Sequence, residues 1–414
     1  MDHTLYPRFA RQAVDTVLSD TPVLVIQGAR QVGKSTLVEQ VAGERDATIF
    51  TLDDNNTLHI AQEDPVAFVG GSPNSLMVID EAQRVPELVL PLKANVDRDR
   101  RPGRFLLTGS ADLLKVKGVA DSLAGRAETV EMLPLSQGEL ARRTVPENFV
   151  AWILAGAESS SFEMLNPNAV IRGGFPEANL RTEARARSWF TSYINRLADH
   201  DARDLQQGGY ADQLATLLRV IAAQGQAELV KAKIARDLDI TETTADSYLR
   251  LARTMRLIVE VPVWNRALRG RVVHRPKVSL VDTGLAAALS NFTVQMISSP
   301  GGLEYFGALV EQFVALELLK QRTWAAVPYD IYHFRDRDGC EVDLVIETFD
   351  GTIIAIEVKS SRTVTPKLWK NVTAFRDRFP DRHVIGVLLH GGDSVATLHG
   401  WLHILPIPAL WQHP

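Results

Sequence analysis

A chain of 414 residues, 45% apolar and 23% charged, has material for about three soluble domains that each bury a core. A net charge of −5 excludes a protein that is basic all over, so any nucleic-acid surface has to be local. The longest apolar stretches fall far short of the roughly 20 residues of a membrane span; Met1-Asp2-His3-Thr4 lacks an export signal and the lone Cys340 closes no internal disulfide, so a cytoplasmic protein without a membrane partner is expected.

From about residue 20 to 135 strands and helices alternate, the pattern of a parallel sheet covered on both faces. The apolar run Val23-Leu24-Val25-Ile26 leads into Gly28-Ala29-Arg30-Gln31-Val32-Gly33-Lys34-Ser35-Thr36. A turn of this kind points backbone N–H groups at a phosphate chain, and Gly28 and Gly33 keep the approach clear of side chains. Lys34 is expected to reach the β- and γ-phosphates, Ser35 to hold Mg²⁺, and the helix that begins here to aim its positive end at the phosphates. Leu76-Met77-Val78-Ile79-Asp80-Glu81 is a buried strand ending in acid. Asp80 is expected in the Mg²⁺ shell; Glu81, diverging from it by strand alternation, would polarise the attacking water. No Asn-Lys-x-Asp guanine-reading segment occurs, which favours ATP.

A third strand, Arg104 to Ser110, ends in hydroxyls, and Thr108 and Ser110 are both candidates for sensing the γ-phosphate. Asp121-Ser122-Leu123-Ala124-Gly125-Arg126 then precedes the strand-like Thr129 to Leu133. Arg126 is placed either to reach into a neighbouring subunit's site or to sit solvated at a helix end.

The chain resembles the bacterial and archaeal AAA+ ATPases in which a P-loop domain is joined to further C-terminal domains. The residues that carry the resemblance are Gly28 to Thr36, Leu76 to Gln83, Leu106 to Ser110, Ser122 to Arg126 with Pro134-Leu135-Ser136, and Gly173-Gly174-Phe175-Pro176-Glu177. It implies ATP and Mg²⁺ as ligands, Asp80 and Glu81 in the metal and water-activating roles, and Thr108 or Ser110 as first sensor. It also implies Arg126 as a finger acting in trans within a homo-oligomer, a hexameric ring being the form considered. Arg172 is the lid arginine put forward as second sensor.

Helical patterns dominate 136–209, which reads as a lid over the nucleotide. Leu229 to Leu238, a short turn, and Thr241 to Arg253 form a helix-turn-helix, with Thr241 a suitable N-cap. A hairpin follows, and residues 210–297 together read as a winged helix. From Val261 to Val281 there is no acid, whereas Arg266, Arg269, Arg271, Arg275 and Lys277 are all present; with Lys231 and Lys233 they are expected to lie along the phosphates of duplex DNA. Use of the winged helix for protein packing is the competing reading.

Ser298-Ser299-Pro300-Gly301-Gly302 reads as a linker to a last domain, 302–414. There Cys340 to Ile346 and Thr352 to Ser361 flank a turn at Asp350-Gly351, two antiparallel strands that bring Asp343 opposite Glu357 and Lys359. Two carboxylates beside a lysine suit metal-assisted phosphodiester cleavage: Asp343 and Glu357 to hold Mg²⁺, Lys359 to orient and deprotonate water, Glu311 of the preceding helix to complete the shell. This pattern resembles the PD-(D/E)XK restriction-endonuclease-like fold; a cross-strand ion-pair cluster gives the same sequence. The expected fold is thus α/β: a P-loop AAA+ sheet (1–135) and helical lid, then a winged helix and a PD-(D/E)XK-like domain. The expected function is ATP-driven translocation or remodelling of DNA with a nuclease-like site. A nucleotide-gated switch controlling a partner protein is the alternative.

Overall fold

A computed structural model describes residues 5–109, 123–157, 161–198, 211–266 and 275–413. By compactness the chain divides into two units, residues 1–135 with 254–257, and residues 136–253 with 258–414.

The first unit holds a five-stranded parallel sheet of β1 (Val23–Gln27), β2 (Ala47–Thr51), β3 (Leu76–Asp80), β4 (Phe105–Gly109) and β5 (Ala127–Glu131), in the order β2-β3-β4-β1-β5. β1 and β4 are buried throughout and β3 up to Asp80, whereas the edge strands β2 and β5 are largely half-buried or exposed. That is why the three interior strands read as plain apolar runs. Helices α1 (Ala10–Asp20), α2 (Lys34–Gly43), α3 (Asn55–Glu63), α4 (Pro65–Gly70) and α5 (Val89–Arg98) accompany the sheet, and Val25, Ile79, Leu92, Phe105 and Leu107 share one core. Because β1 and β3 are separated by β4, their carboxyl ends leave a crevice between the loops that follow them, the place where open α/β sheets take ligands.

The second unit begins with α6 (Gln137–Leu140), α7 (Phe149–Leu154), α8 (Pro167–Arg172), α9 (Pro176–Asn179) and α10 (Glu183–Arg196). These fall in the stretch expected as a lid, and they group with the second unit. Backbone amides at its start are satisfied by side chains far along the chain: Gln137 N–H donates to Glu317 Oε2 (2.9 Å), Phe149 N–H to Gln321 Oε1 (3.0 Å) and Asn148 N–H to His413 Nε2 (3.0 Å). Partners some 170 to 270 residues away leave no local pattern to read.

Next come α11 (Ala211–Gln224), β6 (Ala227–Glu228), α12 (Lys231–Asp237), α13 (Glu242–Thr254), β7 (Ile258–Val261) and β8 (Lys277–Leu280), with strand order β6-β8-β7. Thr241 Oγ1 accepts from Thr244 N–H (3.1 Å) at the start of α13, and Ala235 on α12 and Ala245, Leu249 and Ala252 on α13 are buried. After α14 (Thr283–Leu289), residues 298–302 are a helix start rather than a linker. Ser299 caps Gly302 N–H (3.2 Å), Pro300 takes the first turn of α15 (Pro300–Arg322), and a Cβ on Gly302 would meet Met296 O at 1.8 Å. Ser-Pro-Gly composition serves an N-terminus as well as a linker.

α15 leads into a six-stranded sheet, β13-β14-β12-β11-β10-β9, built from β9 (Tyr329–Arg335), β10 (Glu341–Thr348), β11 (Ile353–Lys359), β12 (Val384–His390), β13 (Ala396–Leu398) and β14 (Leu402–Pro406). Helices α16 (Lys370–Arg378) and α17 (Ala409–Gln412) complete it. The β10–β11 hairpin turns at Gly351, whose φ of 86° is open to glycine, and its register sets Leu344 against Ile356. No helix among the described residues is long and apolar enough to cross a membrane.

Candidate functional sites

Between β1 and α2 the chain from Gly28 to Gly33 closes a loop whose geometry depends on both glycines. A Cβ on Gly28 would meet Met132 O at 2.2 Å, and Gly33 has φ 97° as the N-cap of α2. Lys34 is 5% exposed, and its ammonium donates to the carbonyls of Gly28 and Ala29 (3.0 Å each), holding the loop closed where phosphate oxygens would take over. Burial lowers its pKa, opposed by the charges of Glu81 and Asp80.

Across the crevice Asp80 ends β3. Ser35 Oγ lies 3.4 and 3.3 Å from its two carboxylate oxygens, Thr108 Oγ1 donates to the same carboxylate, and Glu81 N–H donates to Thr108 Oγ1 (3.2 Å). The divergence of Asp80 and Glu81 comes from the backbone rather than from strand alternation. β3 stops at Asp80, and Glu81 takes a left-handed φ of 55° ahead of a 3₁₀ turn, its carboxylate accepting from Gln83 Nε2. A hydroxyl and a carboxylate facing one gap fit an Mg²⁺ ion, and the loop with a buried lysine fits a triphosphate.

Two arginines brace this site without any motif to announce them. Arg8 donates to Val32 O (2.7 Å) and Leu133 O (2.8 Å), strapping the phosphate loop to the chain beyond β5. Arg256 donates to Gln27 Oε1 and pairs with Glu131 (3.1 Å), the last residues of β1 and β5, which explains why residues 254–257 group with the first unit.

Arg126 sits at the other edge of the sheet, its carbonyl accepting from Val23 N–H (3.2 Å) and its Nε pairing with Asp97 (2.7 Å). Five residues of β1, roughly 16 Å, separate it from its own phosphate loop.

In the second unit, Lys359 Nζ lies 2.6 Å from Glu357 Oε1 and 3.3 Å from Asp343 Oδ2, while Asp343 Oδ2 also accepts Val358 N–H (2.8 Å). The β9–β10 register shifts between Val342 and Val345, a bulge that turns Asp343 out of the ladder toward β11. Burial and Asp343 push the Glu357 carboxyl up to about 8 against the pull of Lys359, and Glu357 Oε2 is buried without a hydrogen-bond partner. That orphaned oxygen fits a cation.

The expected third ligand, Glu311, lies within reach of the charges of Asp343 and Glu357 but is engaged by another partner. Glu311 Oε1 is bound by Lys277 Nζ (2.7 Å), and among the described residues no three His, Cys, Asp or Glu converge as a metal group.

The chain matches the family described as "AAA domain" over residues 20–141, and two others described as "Domain of unknown function", DUF8612 over 165–295 and DUF4143 over 306–410. Among curated proteins, "Uncharacterized protein Rv2008c" of Mycobacterium tuberculosis and "Uncharacterized protein Mb2031c" of Mycobacterium bovis are each 30% identical over 373 residues, covering 88% of this chain and 76% of theirs. The chain belongs to their family, and it carries an AAA domain. Among solved structures, the Walker-type ATPase PABY2304 of Pyrococcus abyssi is 16% identical and covers 70% of this chain and 97% of its own (TM-score 0.44). The STAND protein PH0952 of Pyrococcus horikoshii is 14% identical and covers 76% and 46% (TM-score 0.22).

In this AAA protein, then, Lys34, Ser35, Asp80, Glu81 and Thr108 meet at one crevice, as do Asp343, Glu357 and Lys359 in the second unit. Ser110, Arg269 and Arg271 lie outside the described residues. Arg172, put forward as second sensor, belongs to the second unit and donates to the carbonyls of Asn179 (3.0 Å) and Arg181.

Lys277 has to be withdrawn from the proposed DNA contacts: it is 4% exposed, and its ammonium is spent on Glu311 and Glu341 (3.2 Å). Being in an acid-free run said nothing about acids arriving from other elements. Lys233 and Arg275 are exposed, Lys231 pairs with Asp246, and Arg266 pairs with Asp381 (2.9 Å).

Proposed function

We propose that this AAA protein binds ATP with Mg²⁺ and hydrolyses it, and that it spends the cycle on DNA held by residues 210–297. What carries the ATP half is the hydrogen-bonded set Ser35–Asp80–Thr108–Glu81 facing the buried Lys34 across one crevice. Lys34 would leave the carbonyls of Gly28 and Ala29 for phosphate oxygens, and Ser35 with Asp80 would hold the Mg²⁺, which supplies charge neutralisation on the phosphates. Glu81 would take the proton of the attacking water at its carboxylate, with Gln83 fixing its orientation. Thr108, donating to the Asp80 carboxylate and accepting from the Glu81 backbone N–H, would register the γ-phosphate.

The DNA half rests on Lys231, Lys233, Arg266 and Arg275. The partners of Lys231 and Arg266 are no obstacle, because these side chains are 47% and 66% exposed and surface ion pairs contribute about 1 kcal/mol or less, so phosphates replace the carboxylates. In the second unit, Asp343 and Glu357 are proposed as the cation ligands and Lys359 as the group that orients water in a nuclease-like site.

A second reading, a nucleotide-gated switch acting on a partner protein, is favoured by the burial of Lys277, which removes one cation from the hairpin. ATP turnover measured with and without duplex DNA, across a salt series, separates the two. Stimulation that fades as salt rises is expected; turnover indifferent to DNA at low salt sinks the DNA reading and leaves the switch. In the same assay Glu81→Gln should retain ATP without turning it over.

A further inference from the structure

Lys277 belongs to β8, beside the helix-turn-helix, yet its ammonium ends among the acids of the C-terminal sheet. It pairs with Glu311 on α15 (2.7 Å) and Glu341 on β10 (3.2 Å), at 5% side-chain exposure. The neighbouring pair Asp343 and Glu357 is spanned by Lys359. The carboxylates of Glu311, Glu341, Asp343 and Glu357 are thus held by the ammonium groups of Lys277 and Lys359, with Arg335 also reaching Glu341 (3.8 Å). One feature of this group fits a cation: Glu357 is 6% exposed, and its Oε2 is buried with no hydrogen-bond partner. Against this, Glu311 of the adjoining helix is engaged by a lysine, and no three carboxylates are grouped as a metal site among the described residues.

We propose that Lys277 is a built-in counter-ion that keeps Glu311 out of the Asp343–Glu357 site, so that a divalent cation gains its third carboxylate only when β8 releases it. This rests on the reading of Asp343 and Glu357 as a cation site. A lysine and a divalent cation compete for Glu311 directly: the ion pair supplies one charge at hydrogen-bond distance, whereas the ion supplies two and can draw on three carboxylates at once. The lock thereby joins the helix-turn-helix part of the chain to the acid site through one side chain on β8.

The test is Mn²⁺ binding, read by electron paramagnetic resonance on the nucleotide-free full chain, with Asp343→Ala as the background. Lys277→Met is expected to bind Mn²⁺ at the Asp343-dependent site at least about tenfold more tightly than the natural chain, a gain of about 1.4 kcal/mol. Lys277→Arg should behave as the natural chain, and adding Glu311→Gln to Lys277→Met should erase the gain. If Lys277→Met leaves too much charge to fold, Lys277→Met with Glu341→Gln removes one charge of each sign and is read instead. Asp343-dependent binding of equal strength with and without Lys277 overturns the lock and leaves the cation site standing. No Asp343-dependent binding in any variant overturns both.

Discussion

At the scale of single residues, the backbone decides what the side chains do. Glu81 reaches its position through a left-handed φ of 55°, and Gly28 is fixed by a carbonyl that a Cβ would meet at 2.2 Å. Both are costs accepted at a site, and neither contributes to the core. Glu147 is a buried acid outside either site. It is 1% exposed, and a Cβ on Gly138 would meet its Oε2 at 2.3 Å. Burial pushes its carboxyl up from 4.5 to about 7, the Ser136 hydroxyl opposing and the charge of Glu317 adding. The unfolded chain gives up this proton near pH 4.5, while the folded chain keeps it until about 7. Folding is therefore penalised progressively across that window and by the full amount, on the order of 3 kcal/mol, above it. Glu147→Gln removes the penalty, so its thermal midpoint should equal that of the natural chain near pH 4.5, rise above it through pH 7 and hold the gain at pH 8. A difference in midpoint that is the same at pH 5 and pH 8 would show that Glu147 is not neutral in the folded protein.

At the scale of elements, the segment Gly173-Gly174-Phe175-Pro176 has a structural explanation that its sequence does not disclose. Asp282, wholly buried ahead of α14, accepts Gly174 N–H (2.6 Å) and Leu285 N–H (2.9 Å). Gly173 (φ 66°) has no room for a side chain, since a Cβ would meet Asp282 Oδ1 at 2.2 Å, and one on Gly284 would meet Arg172 O at 2.2 Å. The end of α8 and the start of α14 are thus pressed backbone to backbone around one carboxylate. Asp282→Ala orphans two buried N–H groups and should cost about 2–6 kcal/mol, read as a lower urea midpoint with the slope unchanged; a loss below 1 kcal/mol would mean water replaces the carboxylate. The same contrast explains what was legible beforehand. The phosphate loop, the acid-ended β3 and the β10–β11 hairpin were readable because each is made by neighbours in sequence. Arg8, Arg256, the Lys277–Glu311 pair and the Gln137–Glu317 bond were not, because each joins residues 24 to 229 positions apart, and the second partner carries no pattern of its own. Composition misled in one direction at residues 298–302, where Ser, Pro and Gly are a helix start, and in the other at Lys277.

At the scale of the whole molecule, the question is whether one chain suffices for hydrolysis. Lys34, Ser35, Asp80, Glu81 and Thr108 are proposed as phosphate-binding lysine, metal ligands, base and sensor, and two arginines that brace the site are already engaged. Arg8 is committed to the carbonyls of Val32 and Leu133, and Arg256 to Gln27 and Glu131. Arg126 stands at the amino edge of the sheet, roughly 16 Å from the loop by strand length, too far for its side chain to serve its own site. Its pair with Asp97 is 21% and 37% exposed, a partner easily exchanged for a stronger one. If a second copy presents its crevice to this edge, Arg126 is the cation that completes it, and a finger of this kind is worth about 10³-fold or more in turnover. Arg126→Ala alone and Lys34→Ala alone should then both be nearly inactive, the first for want of a finger to donate and the second for want of bound ATP. Mixed together, the Lys34→Ala copies still donate Arg126 to intact crevices of the Arg126→Ala copies, so part of the turnover should return and should grow with total protein concentration. Mixtures no more active than the sum of their parts, in preparations that sediment as oligomers, would confine Arg126 to its pair with Asp97.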